Sequence, residues 1–157
     1  SLFPAGWNSA SVVPNNGEGK PMSPTAVALL GFAAWTLFLV MSLGVFRTSI
    51  AMTKGKKANT FSPSGEDLGG LGQRLTRAHA NCYENLPVAG VILLYAIGTG
   101  QTALTDPLAY AFIGARILQS ATHVISTSNA AVLVRFALFL AQVTILIIWL
   151  LKLFHHI

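Results

Sequence analysis

The sequence predicts an all-α integral membrane protein, a compact four-helix transmembrane bundle. Three observations carry this. Apolar residues make up 53% of the 157 positions and charged residues only 10%, whereas soluble domains carry roughly 25% charged residues. Four stretches (residues 24–46, 78–100, 104–125 and 130–154) are each long enough and apolar enough to span a bilayer, which takes about 20 residues. The basic residues gather around one connection instead of being spread along the chain. The length suits one domain, and the helices are expected over 24–46, 73–100, 104–126 and 130–154.

Residues 1–21 are rich in Gly, Pro, Asn and Ser and are broken by Pro4, Pro14 and Pro21, so they read as an extramembrane N-terminal extension. They lack the basic and apolar regions of a secretory signal. The membrane domain is expected over 22–157. Ser23 as cap and Pro24 in the first turn open helix one. Its few polar side chains, Thr25, Thr36 and Ser42, suit packing and lipid contact. The loop 47–72 follows, with Arg47, Lys54, Lys56 and Lys57 inside it and Arg74 and Arg77 just beyond. Lysine and arginine bias places this loop in the cytoplasm and both termini on the opposite side. The K-G-K-K cluster lies near anionic headgroups there. Membrane lipids are therefore expected partners, and nucleic acid is not.

The segments S-P-S-G-E-D (62–67) and G-G-L-G (69–72) mark turns. No lysine follows the glycines at phosphate-loop spacing, so they read as a flexible loop. Helix two begins near Leu71 or Gln73 and contains Pro87, a bend that membrane helices tolerate. Gly98–Pro107 is read as a short link and Ser126–Asn129 as a tight turn. The short loops suit a bacterial inner membrane. The single cysteine, Cys82, excludes an internal disulfide and reads as a small apolar filler. The adjacent His155 and His156 do not make a closed metal site.

The polar residues fall into stripes. At about 100° per residue, with Arg74 as zero, Arg77 lies near −60°, Asn81 near −20°, Glu84 near −80° and Asn85 near +20°, while His79 points away. Arg116, Gln119, His123 and Thr127 share one face of helix three. Arg135 and Gln142 share one side of helix four. Ionised groups in a span are costly, by about 2.5–3.5 kcal/mol each on insertion scales. Arg116, nearest mid-membrane, therefore needs an internal partner. Glu84 is the one carboxylate well inside a predicted span, Asp106 standing at the very start of the third, and it cannot balance all the arginines. The excess positive charge points either to an anionic ligand entering from the cytoplasmic side or to an ion-paired network that sets helix packing.

The run R-x-x-R-A-H-x-N-x-x-E-N-x-P, here Arg74 to Pro87, resembles the signature of the MAPEG family, the membrane-associated proteins of eicosanoid and glutathione metabolism. G-A-R at 114–116 and the basic first loop agree with it. The resemblance covers roughly residues 23–154. It implies a homotrimer of four-helix subunits with active sites at subunit interfaces near the cytoplasmic side. Glutathione would be the co-substrate, its carboxylates suiting guanidinium forks and its amine a carboxylate. By match, Arg77, Asn81 and Glu84 are ligand contacts. Arg74 and His79 fit the motif, with a ligand role or a structural one open. Arg135 takes the place of the helix-four arginine that stabilises the glutathione thiolate, the nucleophile. The electrophile is then a lipophilic small molecule arriving through the bilayer.

The chain also departs from the family pattern. Ala80 stands where the eicosanoid enzymes often have a further arginine. Gln119 stands in place of a common histidine, His123 in place of a common tyrosine, and Phe139 where some members use tyrosine. Arg116 and His123 are the candidate replacement donors. Two functions follow: a membrane-bound glutathione transferase or peroxidase, and a non-catalytic protein of the same fold that binds another anionic amphiphile or serves as a subunit of a larger membrane complex.

Overall fold

The computed structural model describes residues 21–156. The expected N-terminal extension, apart from Pro21, lies outside the described residues. Four helices follow in order: α1 (Pro24–Lys54), α2 (Gly69–Gly98), α3 (Thr102–Ile125) and α4 (Asn129–His155), with no strand among the described residues.

The start of α1 shows how the backbone donors of a helix end are satisfied. Pro24 has no N–H. The Thr25 N–H donates to Asp106 Oδ1 of α3 at 2.9 Å, and the Ala26 N–H to the Ser23 hydroxyl at 3.2 Å. The Val27 N–H then makes the first bond of the helical ladder, to Ser23 O. At the other end, α1 runs eight residues past the predicted stop at Phe46. Nothing in R-T-S-I-A-M-T-K breaks a helix. Ser49 and Thr53 bond back to the carbonyls one turn earlier, and Gly55, in the left-handed region at φ 62°, supplies the cap. Thirty-one residues span about 46 Å, so the basic end of α1 projects beyond the roughly 30 Å hydrocarbon layer.

The connection from α1 to α2 is shorter than predicted and folded on itself. It contains two single 3-10 turns, Ala58–Thr60 and Glu66–Leu68. Arg47 reaches back to Ser62 O at 3.1 Å. Asp67 accepts from the Ser62 N–H and pairs with Lys56, whose ammonium lies over the Phe61 ring. The Lys56 hydrogen bond is the main cause holding the Asp67 carboxyl below its usual range. Gly69–Gly72 is not a flexible loop but the first turn of α2. A side chain at Gly72 would collide with Leu68 and with Phe46 of α1, so the glycine lets α2 start close against α1.

The link between α2 and α3 is likewise only residues 99–101, turned by Gly100 at φ 70°. Pro107, predicted at the end of that link, lies inside α3, early enough that losing one ladder bond leaves the helix intact.

α1, α2 and α3 pack mutually, and α4 rests chiefly on α3. Phe32, Phe112 and Trp149 form the centre, with ring centroids 5.9 and 5.3 Å apart. Large apolar side chains also cover the outside: Leu37, Met41 and Val45 on α1, Val91 on α2, Leu133 and Leu151 on α4. An apolar exterior of this extent suits lipid or further protein, not water. Three of the four helices are long and apolar enough to cross a membrane. α3 falls short of that mark because Arg116, Gln119 and His123 lower its hydropathy, and two of these three are buried inside the bundle.

Candidate functional site

The α2 stripe divides into two flanks, and the helical angles say why. Arg74, Asn81 and Asn85 cluster near 0°, and Arg74 and Asn81 reach α3. Arg74 Nε donates to Val124 O at 2.8 Å, and Asn85 Nδ2 donates to Asn81 O. Arg77 and Glu84 lie about 60–80° away and stand exposed on the outer flank. Neither forms an ion pair or hydrogen bond among the described residues, where the one ion pair is Lys56–Asp67. His79 points elsewhere, its ring 5.6 Å from that of Tyr83.

Arg116 occupies the interior, only 1% exposed. Its partners are amide oxygens instead of a carboxylate. Nη1 donates to Asn81 Oδ1 at 2.5 Å and to Gln119 Oε1 at 3.0 Å, and the guanidinium lies 5.1 Å from the Phe32 ring centre. The oxygens and the ring's negative face stabilise the charge without a counter-ion. Sequence reasoning expected an internal partner here but named Arg116 as a donor to ligand. The structure instead places its guanidinium within the bundle, with Nε unpartnered.

Gln119 Oε1 accepts a second bond, from Gln142 Nε2 at 3.0 Å, and Gln119 Nε2 donates to Arg135 O at 3.3 Å. Gln119 is thus turned inward and 3% exposed. This Gln119–Gln142 link between α3 and α4 was missed; the only available signal was that both glutamines fall on polar stripes. Ser120 bonds Cys82 Sγ at 3.1 Å, which accounts for a polar residue beside the buried cysteine.

Roughly one turn further toward the α3 C-terminus, Arg135 and His123 meet, Nη1 to Nδ1, at 3.1 Å. Arginine can only donate, so Nδ1 accepts and the imidazole is neutral with its proton on Nε2. The bond fixes one arm of the half-buried Arg135 guanidinium. Its remaining N–H groups engage no side chain among the described residues. The site residues thus form two sets: the enclosed Arg116, Gln119 and Gln142, joined to the half-buried Asn81, and a set reaching the surface with Arg77, Glu84, Arg135 and His123.

Two recesses lie between helices elsewhere. One of about 180 Å³ is bounded by Val91, Tyr95, Leu150 and Phe154. The other, of about 340 Å³, is bounded by Trp35, Leu39, Ser120 and Val124. Both are apolar, and Arg77, Glu84 and Arg135 line neither. Among the described residues no three His, Cys, Asp or Glu side chains gather as a metal site.

Comparison with curated proteins finds no match, and comparison with solved structures finds none. A family model, that of the MAPEG family, matches residues 25–155, which cover all four helices but for Pro24. The helical membrane architecture and the paired Arg74 and Arg77 of α2 agree with that match: the chain belongs to the MAPEG family.

Proposed function

We propose that this protein is a membrane-bound glutathione transferase or peroxidase that works as a homotrimer of four-spanning subunits, with the loop after α1 in the cytoplasm. The observation that carries the reading is the Arg77–Glu84 flank. A cation and an anion two turns apart stand unpaired on one face of a membrane helix, which is costly unless something outside the chain meets them. Glutathione has the complementary charges, carboxylates for Arg77 and an ammonium for Glu84. A second subunit packed over α2 would close the site that one chain leaves open. Arg135, held by His123 with N–H groups to spare, would stabilise the thiolate. A cation beside a thiol lowers its pKa from about 8.5 and yields the nucleophile at neutral pH. The electrophile or hydroperoxide would come from the bilayer.

The inward-turned Gln119 and the half-buried Phe139 support a second reading. By the resemblance, Gln119 stands in place of a common histidine and Phe139 where some members use tyrosine, and neither offers a donor to a ligand here. On this reading the charged flank binds another anionic amphiphile, or a different membrane protein, without chemistry.

Ultraviolet difference spectra of the purified protein with glutathione separate the two. Wild type should show thiolate absorbance near neutral pH, and Arg135→Leu should lose it while still binding. Folded trimer that binds glutathione only as the thiol, and turns over neither electrophile nor hydroperoxide, would exclude the catalytic reading.

A further inference from the structure

We infer that Arg116 is a positioning residue that fixes which end of the Asn81 carboxamide faces the ligand. The inference rests on the glutathione reading above.

An asparagine side chain offers an acceptor at one end and two donors at the other, and its surroundings decide which way it points. Here the choice is forced. Arg116 has donors only, and its Nη1 lies 2.5 Å from Asn81 Oδ1. Turning the amide over would set N–H groups against N–H groups beside a buried cation. Oδ1 is therefore held inward, and Nδ2, which has no partner among the described residues, is the end left for a ligand. Arg116 is buried and packed on Phe32, so the constraint is rigid.

The same guanidinium orients a second amide. Gln119 Oε1 receives Arg116 Nη1 and Gln142 Nε2. With its oxygen taken up by two donors, Gln119 turns Nε2 to the backbone carbonyl of Arg135. One buried cation thus sets the Asn81 donors on α2 and ties α4 to α3 at Arg135. Asn81 should then recognise an acceptor on the ligand, a peptide carbonyl or a carboxylate oxygen.

The test is calorimetric titration of reduced glutathione into the full chain in detergent, for wild type, Asn81→Ala, Arg116→Gln and the double variant. If Arg116 acts through Asn81, each single change weakens binding about tenfold, the scale of one lost hydrogen bond to a ligand. The double variant is then no weaker than Asn81→Ala alone. Asn81→Asp keeps an oxygen for Arg116 but replaces the Nδ2 donors with an acceptor. It should raise the melting temperature of the unliganded protein and abolish glutathione binding. This variant serves even if Arg116→Gln does not fold. Wild type that binds, with effects of Asn81→Ala and Arg116→Gln that multiply, or with Asn81→Asp binding undiminished, overturns the positioning role and leaves the glutathione reading intact. Folded wild type that does not bind glutathione overturns both.

Discussion

Asp106 is expected to hold the start of α1 to the start of α3. It sits in the first turns of α3, yet its Oδ1 accepts from both the N–H of Thr25, at 2.9 Å, and the Thr25 hydroxyl, at 2.6 Å. Thr25 is fully buried and also meets the Thr105 hydroxyl at 2.6 Å. Removing the carboxylate leaves the Thr25 N–H without its acceptor and takes the charged acceptor from its hydroxyl, which keeps only Thr105. Bonds to a charged acceptor contribute about 1.5–3 kcal/mol each, and a carboxylate facing a helix N-terminus adds about 0.3–1 kcal/mol. Asp106 is only half-buried, so water can reach part of the gap. The lower end applies, and Asp106→Ala should cost about 3 kcal/mol. Asp106→Asn keeps an oxygen for both donors and loses the charge, for about 1 kcal/mol. For a chain of this length a loss of 1 kcal/mol lowers Tm by roughly 2–4 °C. The shifts should therefore be about 6–12 °C for alanine and about 2–4 °C for asparagine. Cys82, the single cysteine and fully buried, provides the assay: a thiol-reactive fluorophore lights up as unfolding exposes it. Equal Tm for wild type and both variants would refute the capping role.

Three further outcomes follow from the geometry. Gly65→Ala should destabilise the protein by more than about 1 kcal/mol, because φ is 72° and an added Cβ would lie 2.5 Å from Thr76 Oγ1; wild-type Tm in this variant would show that the loop does not press on α2. The Asp67 carboxyl should titrate below its usual range and return to it in Lys56→Met, read by carbon-13 NMR of the side chain. Because that pKa is lowered on folding, the stabilising contribution is fully present above the usual carboxylate pKa of about 3.9 and is lost as pH falls through the lowered value; an unshifted midpoint in wild type would contradict the ion pair. His123→Phe removes the acceptor that holds Arg135 Nη1 and should cut glutathione turnover about three- to tenfold, with little change in binding; unchanged turnover would show that Arg135 is held without it.

The four helices were legible because each apolar run is long and ends at a turn signal. Their boundaries were less so. α1 overruns its predicted end because nothing in its basic last turns breaks a helix, and charge was read as loop. G-G-L-G was read as flexible, whereas glycine is needed at position 72 because α2 starts against Phe46. On α2, simple angles placed Arg74, Arg77, Asn81, Glu84 and Asn85 on one stripe, which the structure divides into two flanks. Which flank faces α3 was beyond the sequence, since that depends on how two helices pack. Arg116 was expected to need an internal partner, but amide oxygens and a phenylalanine ring carry no sequence mark as counter-groups. The Asp106 cap joins residues 81 apart and leaves no local signal at all.

The most direct test of the central claim is equilibrium binding of glutathione to the purified full chain in detergent, wild type against Arg77→Ala. Saturable binding to wild type, weakened at least about tenfold in the variant, is the predicted result. Folded wild-type protein that binds no glutathione, or binding that is indifferent to Arg77, would contradict the account.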